Sequence, residues 1–318
     1  MDTPTPPSNR YRPERYQAAR ARQDATPLAY APARDILAAL GRYGYLTVPQ
    51  ILRLLYAPTS RTHVASWLKT LKDNGYAHDD NLLFVNRDGV NPRVWTFTES
   101  GRQYLKENGQ TELPRIHHRR RPQPFVLDHT IAVNESLITC ELLSTRSDGV
   151  IELLGLRSDE MLHKMPIEIR LDEGKKANVI PDGWVQYGLG ESRLSLCLEV
   201  DRATEDRDHW RGKIAGYIKA LTGDPSPYQE RFGTRGARVL TIVRPKDQRA
   251  VISPEKRLSD LKTWTELELT AQGKQNWAGI FPLTIAAPEE LDPRIFFGSP
   301  LWIVPFGTGK EPVIPGVL

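Results

Sequence analysis

Three carboxylates between positions 182 and 201 have the residue type and spacing of a metal site. Asp182 begins one extended run, and Glu199 and Asp201 close the next, in which apolar and polar residues alternate. Because successive side chains of a strand point to opposite faces, the two later acids share one face. Glycines around position 190 predict a turn that joins the two runs into a hairpin. Mg²⁺ and Mn²⁺ take carboxylate oxygens, so these acids are predicted metal ligands; the alternative is a set of solvated acids at a strand end.

A fourth carboxylate, Glu135, falls on the inward face of a helix predicted over residues 125–143. The aliphatic residues of that face are Leu127, Ile131, Ile138 and Leu142. A buried acid without a partner is strongly disfavoured, so Glu135 is expected to pair with a cation or a metal. The alternative is a glutamate at the edge of the apolar stripe whose carboxylate reaches solvent.

The composition is ordinary for a water-soluble chain that is long enough for two domains. The 318 residues are 39% hydrophobic and 26% charged. No run approaches the roughly 18 apolar residues that a membrane span needs, so no membrane partner is expected. The polar, proline-rich start lacks the apolar segment of a secretory signal, which favours a cytoplasmic protein. Cys140 and Cys197 have no neighbour at metal-ligand spacing, so neither a zinc site nor a disulfide framework is predicted.

Positive charge is concentrated in the front of the chain. Residues 1–123 contain 19 Lys and Arg against 11 Asp and Glu, whereas residues 124–318 contain 24 against 28. A basic field confined to one part of a molecule is typical of a module that binds a polyanion, although basic patches also occur on proteins that bind nothing.

Composition and periodicity divide the chain into five segments. Residues 1–30 are rich in proline and arginine and predict a flexible basic arm, and residues 111–124 predict a basic linker. Residues 31–110 form the first predicted domain, and residues 125–250 form the second. Residues 251–318 are a C-terminal extension, expected to pack on the second domain or on a dimer partner.

The first domain has the pattern of three short helices followed by a hairpin and a fourth helix. Thr47 and Gln50 have the spacing of a capping box at the start of the second helix. The third helix buries one apolar stripe and turns a small polar and basic face outward, which suits close approach to a DNA groove. The predicted DNA contacts on this helix, on the hairpin and in the linker are Arg61, Thr62, Ser66, Lys69, Lys72, Arg87, Arg93, Arg119, Arg120 and Arg121.

This order of elements resembles a winged helix-turn-helix. Residues 97–102 (FTESGR) are similar to the junction between the wing and the last helix of that family. The resemblance covers residues 33–108 and implies binding to double-stranded DNA. Winged helices also serve as protein-protein modules, so that alternative stays open.

The second domain is predicted as α-β-β-β-α-β. This order, with Glu135 on its first helix, Asp182 after a proline and Glu199 on the third strand, resembles the PD-(D/E)XK nuclease superfamily. The resemblance implies that acids hold Mg²⁺ or Mn²⁺ for cleavage of phosphodiesters. Asp201 stands where that superfamily has a lysine, so the lysine role is carried to Lys213 on the next helix and activity is left open. The implied catalytic set is Glu135, Asp182, Glu199 and Lys213.

The whole layout resembles the replication-relaxation family of plasmids and other mobile elements. The segments that carry the resemblance are residues 127–130 (LDHT) with Asn134, residues 180–183 (IPDG), and residues 198–205 (LEVDRATE). The implied fold class is α+β, a winged helix-turn-helix followed by an α/β nuclease-like domain with an αβββαβ core.

The resemblance also implies a function and its partners. We expect a DNA-binding homodimer that acts in replication or maintenance of a mobile element, lies in the cytoplasm with nucleoid or plasmid DNA, and has a nuclease-like domain without efficient catalysis. The alternatives are a Mg²⁺-dependent endonuclease targeted by its winged helix and a transcriptional repressor.

Overall fold

The computed structural model describes residues 27–56, 60–81, 93–114, 116, 123–171, 174–244 and 252–315. The predicted arm up to residue 26, and the predicted DNA contacts Arg87, Arg119, Arg120 and Arg121, lie outside these ranges. The described fold is α+β, as predicted. Residues 27–29 form a 3₁₀ turn in which Leu28 is buried, so the end of the predicted arm belongs to the folded part.

The described first half combines helices with a small antiparallel sheet of order β1-β3-β2. Its elements are α1 (Ala31–Tyr43), β1 (Leu46–Thr47), α2 (Val48–Leu55), α3 (Arg61–Asp73), β2 (Ala77–Asn81), β3 (Arg93–Phe97) and α4 (Glu99–Glu107). The predicted capping box is confirmed, because the backbone N–H of Gln50 donates to Thr47 Oγ1 and that of Thr47 donates to Gln50 Oε1. Gly44 ends α1 with a φ of 75°, a conformation that favours glycine.

The second half is built on a mixed sheet of order β12-β11-β10-β9-β8-β7-β4. Its elements are α5 (Pro124–Arg146), β4 (Glu152–Ser158), α6 (Asp159–Leu162), β5 (Ile167–Arg170), β6 (Lys176–Val179), β7 (Gly183–Leu189), β8 (Ser192–Asp201), α7 (Arg207–Leu221), α8 (Pro227–Phe232), β9 (Arg238–Val243), α9 (Pro254–Ala271), β10 (Leu283–Thr284), α10 (Pro293–Gly298), β11 (Trp302–Ile303) and β12 (Lys310–Glu311). β7 pairs antiparallel with both β4 and β8, and β9 runs parallel to β8. The predicted succession α-β-β-β-α-β is present as α5, β4, β7, β8, α7 and β9.

Besides α8, which lies between α7 and β9, two features of this half go beyond the sequence prediction. First, α6 and the separate β5-β6 hairpin are inserted between β4 and β7. Second, β10 pairs parallel with β9, and β11 and β12 extend the same sheet. The C-terminal extension therefore completes the central sheet of the second half.

The central sheet separates two buried cores. Leu196 and Leu198 of β8 face α5, in a core that continues into the first half of the chain. Cys197 points to the other face and packs with residues of α7 and α9. Glu199 and Asp201 share the face of Cys197 because alternate strand residues lie on the same side.

The two halves are joined through polar contacts with α5. The side-chain amide of Gln50 on α2 donates to the carbonyl of Ile131 at 2.9 Å. The amide of Asn134 on α5 donates to the carbonyls of Tyr43 at 3.1 Å and Tyr45 at 2.6 Å. Since α2 also packs on α5, this helix is held against the second half, while α3 packs against α1, α2 and β2.

Candidate functional site

Asp182 lies directly before β7 and joins that strand to β8 and α5. Its Oδ2 accepts the backbone N–H of Val200 at 2.7 Å, and its Oδ1 lies 3.2 Å from Nε2 of His129, near the start of α5. The space at Gly183 is tight, because a Cβ there would lie 3.0 Å from the Leu137 side chain and 3.3 Å from the Leu198 side chain. A larger residue at 183 would require these leucine side chains to shift.

Glu199 on β8 is buried, with 1% of its surface exposed. Its Oε2 accepts a hydrogen bond from Nζ of Lys213 at 2.9 Å, and its Oε1 accepts one from the hydroxyl of Tyr217. Nζ of Lys213 also donates to Oε1 of Glu205 at 2.6 Å. The structure therefore brings the predicted Glu199 and Lys213 into direct contact and adds Glu205, which the sequence prediction did not include.

Asp201 at the end of β8 forms a buried ion pair with Arg257 on α9. The guanidinium donates from Nε to Oδ2 at 2.9 Å and from Nη2 to Oδ1 at 2.7 Å. The side chain of Arg257 is 3% exposed and that of Asp201 is 0% exposed. Nη2 also donates to the carbonyl of Glu205 at 2.9 Å, so α9 fixes the segment that follows β8.

Asp182, Glu199 and Asp201 form the acid cluster. Burial and mutual charge shift the pKa values of Asp182, of Glu199 and of the neighbouring Lys213. Burial raises the pKa of Glu199 to about 7, with the charge of Asp182 adding to the rise and Lys213 opposing it. The pKa of Asp182 is lowered, because its contact with His129, the charge of Lys213 and the Val200 N–H together outweigh burial. Burial alone would lower the pKa of Lys213. The charges of Glu199, Asp182 and Glu205 raise this pKa by a larger amount, so the lysine stays charged.

Glu135 has a different set of partners. Its Oε2 accepts a hydrogen bond from Arg53 of α2 at 2.9 Å, and the same guanidinium donates to Thr139 and to the carbonyl of Pro288. Burial and the nearby charge of Glu289 raise the pKa of Glu135. The structure meets the expectation of a cation partner, and among the described residues no hydrogen bond or ion pair joins Glu135 to Asp182, Glu199 or Asp201.

His129 on α5 contacts the acid cluster through Asp182. It lies within the LDHT segment that carries the family resemblance, which is the only sequence signal that pointed to it. The pKa of this histidine is raised, because its contact with Asp182 outweighs burial. The sequence prediction missed it because Glu135 was the acid with helical spacing in the apolar stripe.

The predicted metal ligands do not form an open set. The carboxylate oxygens of Asp182, Glu199 and Asp201 all have a protein donor, and Lys213 and Arg257 supply positive charge beside them. In the described part of the chain, no group of three or more His, Cys, Asp or Glu side chains is arranged to hold a metal ion. In this arrangement the residues do not fit Mg²⁺ or Mn²⁺, which require free carboxylate or water oxygens.

The exposed face of α3 forms a second candidate site. It lies in the first half of the chain, whereas Asp182, Glu199 and Asp201 lie in the second. Arg61, Thr62, Ser66 and Lys69 are all exposed, as the helical period predicts. Lys69 pairs with Asp73 one turn later, with side chains 74% and 54% exposed. Exposed ion pairs of this kind contribute only about 0.3 to 0.5 kcal/mol, so Asp73 holds Lys69 only weakly.

The other two described DNA-contact candidates share an acid. Lys72 at the end of α3 and Arg93 at the start of β3 both pair with Asp79 on β2. Although burial raises the pKa of Asp79, the two cations lower it overall, so the acid stays charged and offsets their positive field. Arg61 and Lys69 are therefore more available to an external anion than Lys72 and Arg93 are.

Comparison with known families decides the affiliation of the chain. The family model described as replication-relaxation matches residues 37–233, which is more than half of the chain. The chain belongs to the replication-relaxation family. A search of curated proteins and a search of solved structures each found no significant match.

The replication-relaxation match spans both candidate sites but not every residue in them. It extends from α1 to the end of α8, so it includes the α3 face and the cluster around Asp182 and Glu199. Arg257 lies beyond its end. No helix in the described residues is long and apolar enough to cross a membrane.

The stability of this replication-relaxation protein is expected to fall as pH rises from about 5 to about 8. The pKa of Glu199 is raised from 4.5 to about 7, and that of His129 is raised from 6.5. A group with a raised pKa in the folded state contributes stability below its unfolded pKa and loses it as pH passes the folded value. Glu199→Gln should flatten the profile of melting temperature against pH.

The control for this prediction is Glu168→Gln, which removes an exposed carboxylate on β5. It should leave the pH profile as in the wild type. A Glu199→Gln profile as steep as that of the wild type would show that Glu199 does not titrate in this range.

Proposed function

We propose that this protein binds double-stranded DNA through the exposed face of α3 and acts in the replication or maintenance of a plasmid or other mobile element. The observation that carries the proposal is the contrast between two neighbouring helices. α2 is fixed to α5 through Gln50 and Arg53, whereas α3 turns basic and small polar residues to solvent. Membership in the replication-relaxation family supports the role in replication.

The order of elements supports a winged helix-turn-helix in the first half. α2 and α3 are consecutive helices, and β2 and β3 form an antiparallel pair after them. In such modules the second helix of the pair enters the major groove and its N-terminal residues contact base edges. Thr62 and Ser66 are small enough for close approach, and Arg61 and Lys69 are long enough to reach phosphates or guanine.

A second copy of the chain is the partner that this mode of binding favours. One α3 reaches only a few base pairs, and each good side-chain contact to a base contributes about 1 to 3 kcal/mol of discrimination. A homodimer would read two half-sites and so multiply the discrimination.

The second half is proposed to be a nuclease-like scaffold without efficient catalysis. The succession α5, β4, β7, β8, α7, β9 and its strand directions support a PD-(D/E)XK-like core. Asp201 replaces the motif lysine and is held by Arg257. Lys213 is near Glu199, but its raised pKa keeps it protonated, so it cannot accept a proton from an attacking water.

An assay of the full chain on DNA tests both parts of the proposal. We expect it to shift a duplex fragment in a gel at low salt and to leave supercoiled plasmid uncut in millimolar Mg²⁺ or Mn²⁺. The physical reason is that protein cations already neutralise the carboxylates that would hold the metal.

Controls separate the possible outcomes. Plasmid cleavage that needs Mg²⁺ or Mn²⁺ and disappears in Asp182→Ala and Glu199→Ala would replace the scaffold proposal with the endonuclease alternative. Cleavage that persists in both variants would come from a contaminant. Failure of the full chain to retain duplex at low salt would end the DNA-binding proposal.

A further inference from the structure

His63 occupies the first turn of α3 in a fixed orientation. It is exposed, and its ring lies edge-on between Tyr56, at the end of α2, and Trp67, one turn later on α3. The ring centroids are 5.8 Å apart with an interplanar angle of 75° for Tyr56, and 6.1 Å apart at 80° for Trp67. Edge-to-face contacts of this kind are favourable and restrict the rotation of the ring.

The indole of Trp67 determines which nitrogen of His63 can donate. Nε1–H of Trp67 donates to Nε2 of His63 at 3.1 Å. An indole N–H is a donor only, so Nε2 must be the acceptor, and the proton of the neutral imidazole lies on Nδ1. No described residue accepts a hydrogen bond from Nδ1. His63 therefore presents one oriented N–H donor, at Nδ1, near the start of α3.

The position of this donor relative to its neighbours indicates its target. At 100° per residue, Arg61 and His63 lie on opposite flanks of Thr62, and all three are exposed. The N-terminal residues of a helix in the major groove face base edges, where N7, O6 and O4 atoms are acceptors. A single N–H donor offers a phosphate less than the forked guanidinium of Arg61 does, but it can distinguish an acceptor on a base edge from a donor or a methyl group.

We propose that His63 is a specificity-determining residue that donates from Nδ1 to an acceptor on a base edge in the major groove. The proposal rests on the proposed binding of duplex DNA by α3. It places a base-reading residue beside Arg61, the proposed phosphate contact, and it makes Trp67 a positioning residue that fixes the imidazole.

Selection from a library of randomised duplexes tests this role with the full chain. The retained DNA is sequenced for the wild type, His63→Asn, His63→Phe and the control His163→Asn, an exposed histidine beyond α6. Asparagine keeps a donor near the Nδ1 position, whereas phenylalanine keeps only the ring. Circular dichroism melting of each variant shows that it is folded.

The expected result is a loss of preference at one base position. His63→Phe should lose about fivefold or more of the discrimination there, the amount carried by one hydrogen bond, while His63→Asn should keep most of it and His163→Asn all of it. Unchanged preferences in His63→Phe would overturn the role of His63 alone. Equal weakening on all sequences would assign His63 to a phosphate and also overturn it. A wild type that retains no duplex would overturn this role together with the proposed function.

Discussion

Replacing Arg257 with methionine is expected to lower the free energy of unfolding by about 3 to 5 kcal/mol. The change removes both hydrogen bonds to Asp201 and leaves that carboxylate buried without a cation. Methionine is of similar length, so the loss of packing against Trp264 is small. Urea unfolding followed by tryptophan fluorescence measures the effect.

Two further variants show whether the unpaired charge is the cause. Arg257→Met combined with Asp201→Asn removes both charges and should recover most of the loss, because a neutral pair in a buried site is often tolerated. Lys262→Met on the same helix breaks the more exposed pair with Glu266 and should cost less than about 1 kcal/mol. Equal effects of Arg257→Met and Lys262→Met would contradict the ionic role of Arg257.

Reversing the charge of both Arg61 and Lys69 to glutamate is expected to weaken duplex binding by about 100-fold or more at about 0.1 M salt. Each substitution removes a phosphate contact and places a negative charge against the DNA backbone. Fluorescence anisotropy of a labelled duplex measures the dissociation constant. Both residues are exposed, so the stability of the fold should change little.

A matched pair of substitutions separates the face of α3 from general charge effects. Lys256 forms an exposed i,i+4 pair with Asp260, as Lys69 does with Asp73, and Lys310 is exposed on β12. Lys256→Glu with Lys310→Glu changes the net charge by the same amount. This control should bind the duplex with an affinity within a few-fold of that of the wild type. An equal loss of affinity in both double variants would show that the face of α3 contributes no more than general charge.

Local chemistry explains which parts of the fold were predictable from the sequence. The capping box of Thr47 and Gln50 depends on two residues three positions apart, and the β7-β8 hairpin follows from alternation and a glycine turn. The same alternation placed Glu199 and Asp201 on one strand face. These features involve contacts between residues that are near in the chain, so their spacing contains the information.

Partners that are distant in the chain were not predictable in this way. Arg257 lies 56 positions after Asp201, and Arg53 lies 82 positions before Glu135. Helical periodicity correctly indicated that Glu135 needs a partner but not which cation supplies it. β10, β11 and β12 are each two residues long, too short for any period, so their addition to the sheet has no local signal.

The acid cluster shows how the missing long-range partners changed the chemical interpretation. The types and spacing of Asp182, Glu199 and Asp201 predicted metal ligands, and the strand face that Glu199 and Asp201 share was correctly placed. The contacts of Lys213, Arg257 and the nearby hydrogen-bond donors then fill the oxygens that a metal would need. A carboxylate pattern therefore indicates a place for cations, while the tertiary partners determine which cation takes it.

The salt dependence of duplex binding tests the central claim most directly. The logarithm of the association constant is measured against the logarithm of salt concentration for the wild type and for Arg61→Ala with Lys69→Ala. We expect a linear decrease for the wild type and a slope reduced by about two in the variant, since each phosphate contact contributes roughly 0.9. Identical slopes and affinities for the two proteins would contradict the account, because α3 would then make no contact with DNA.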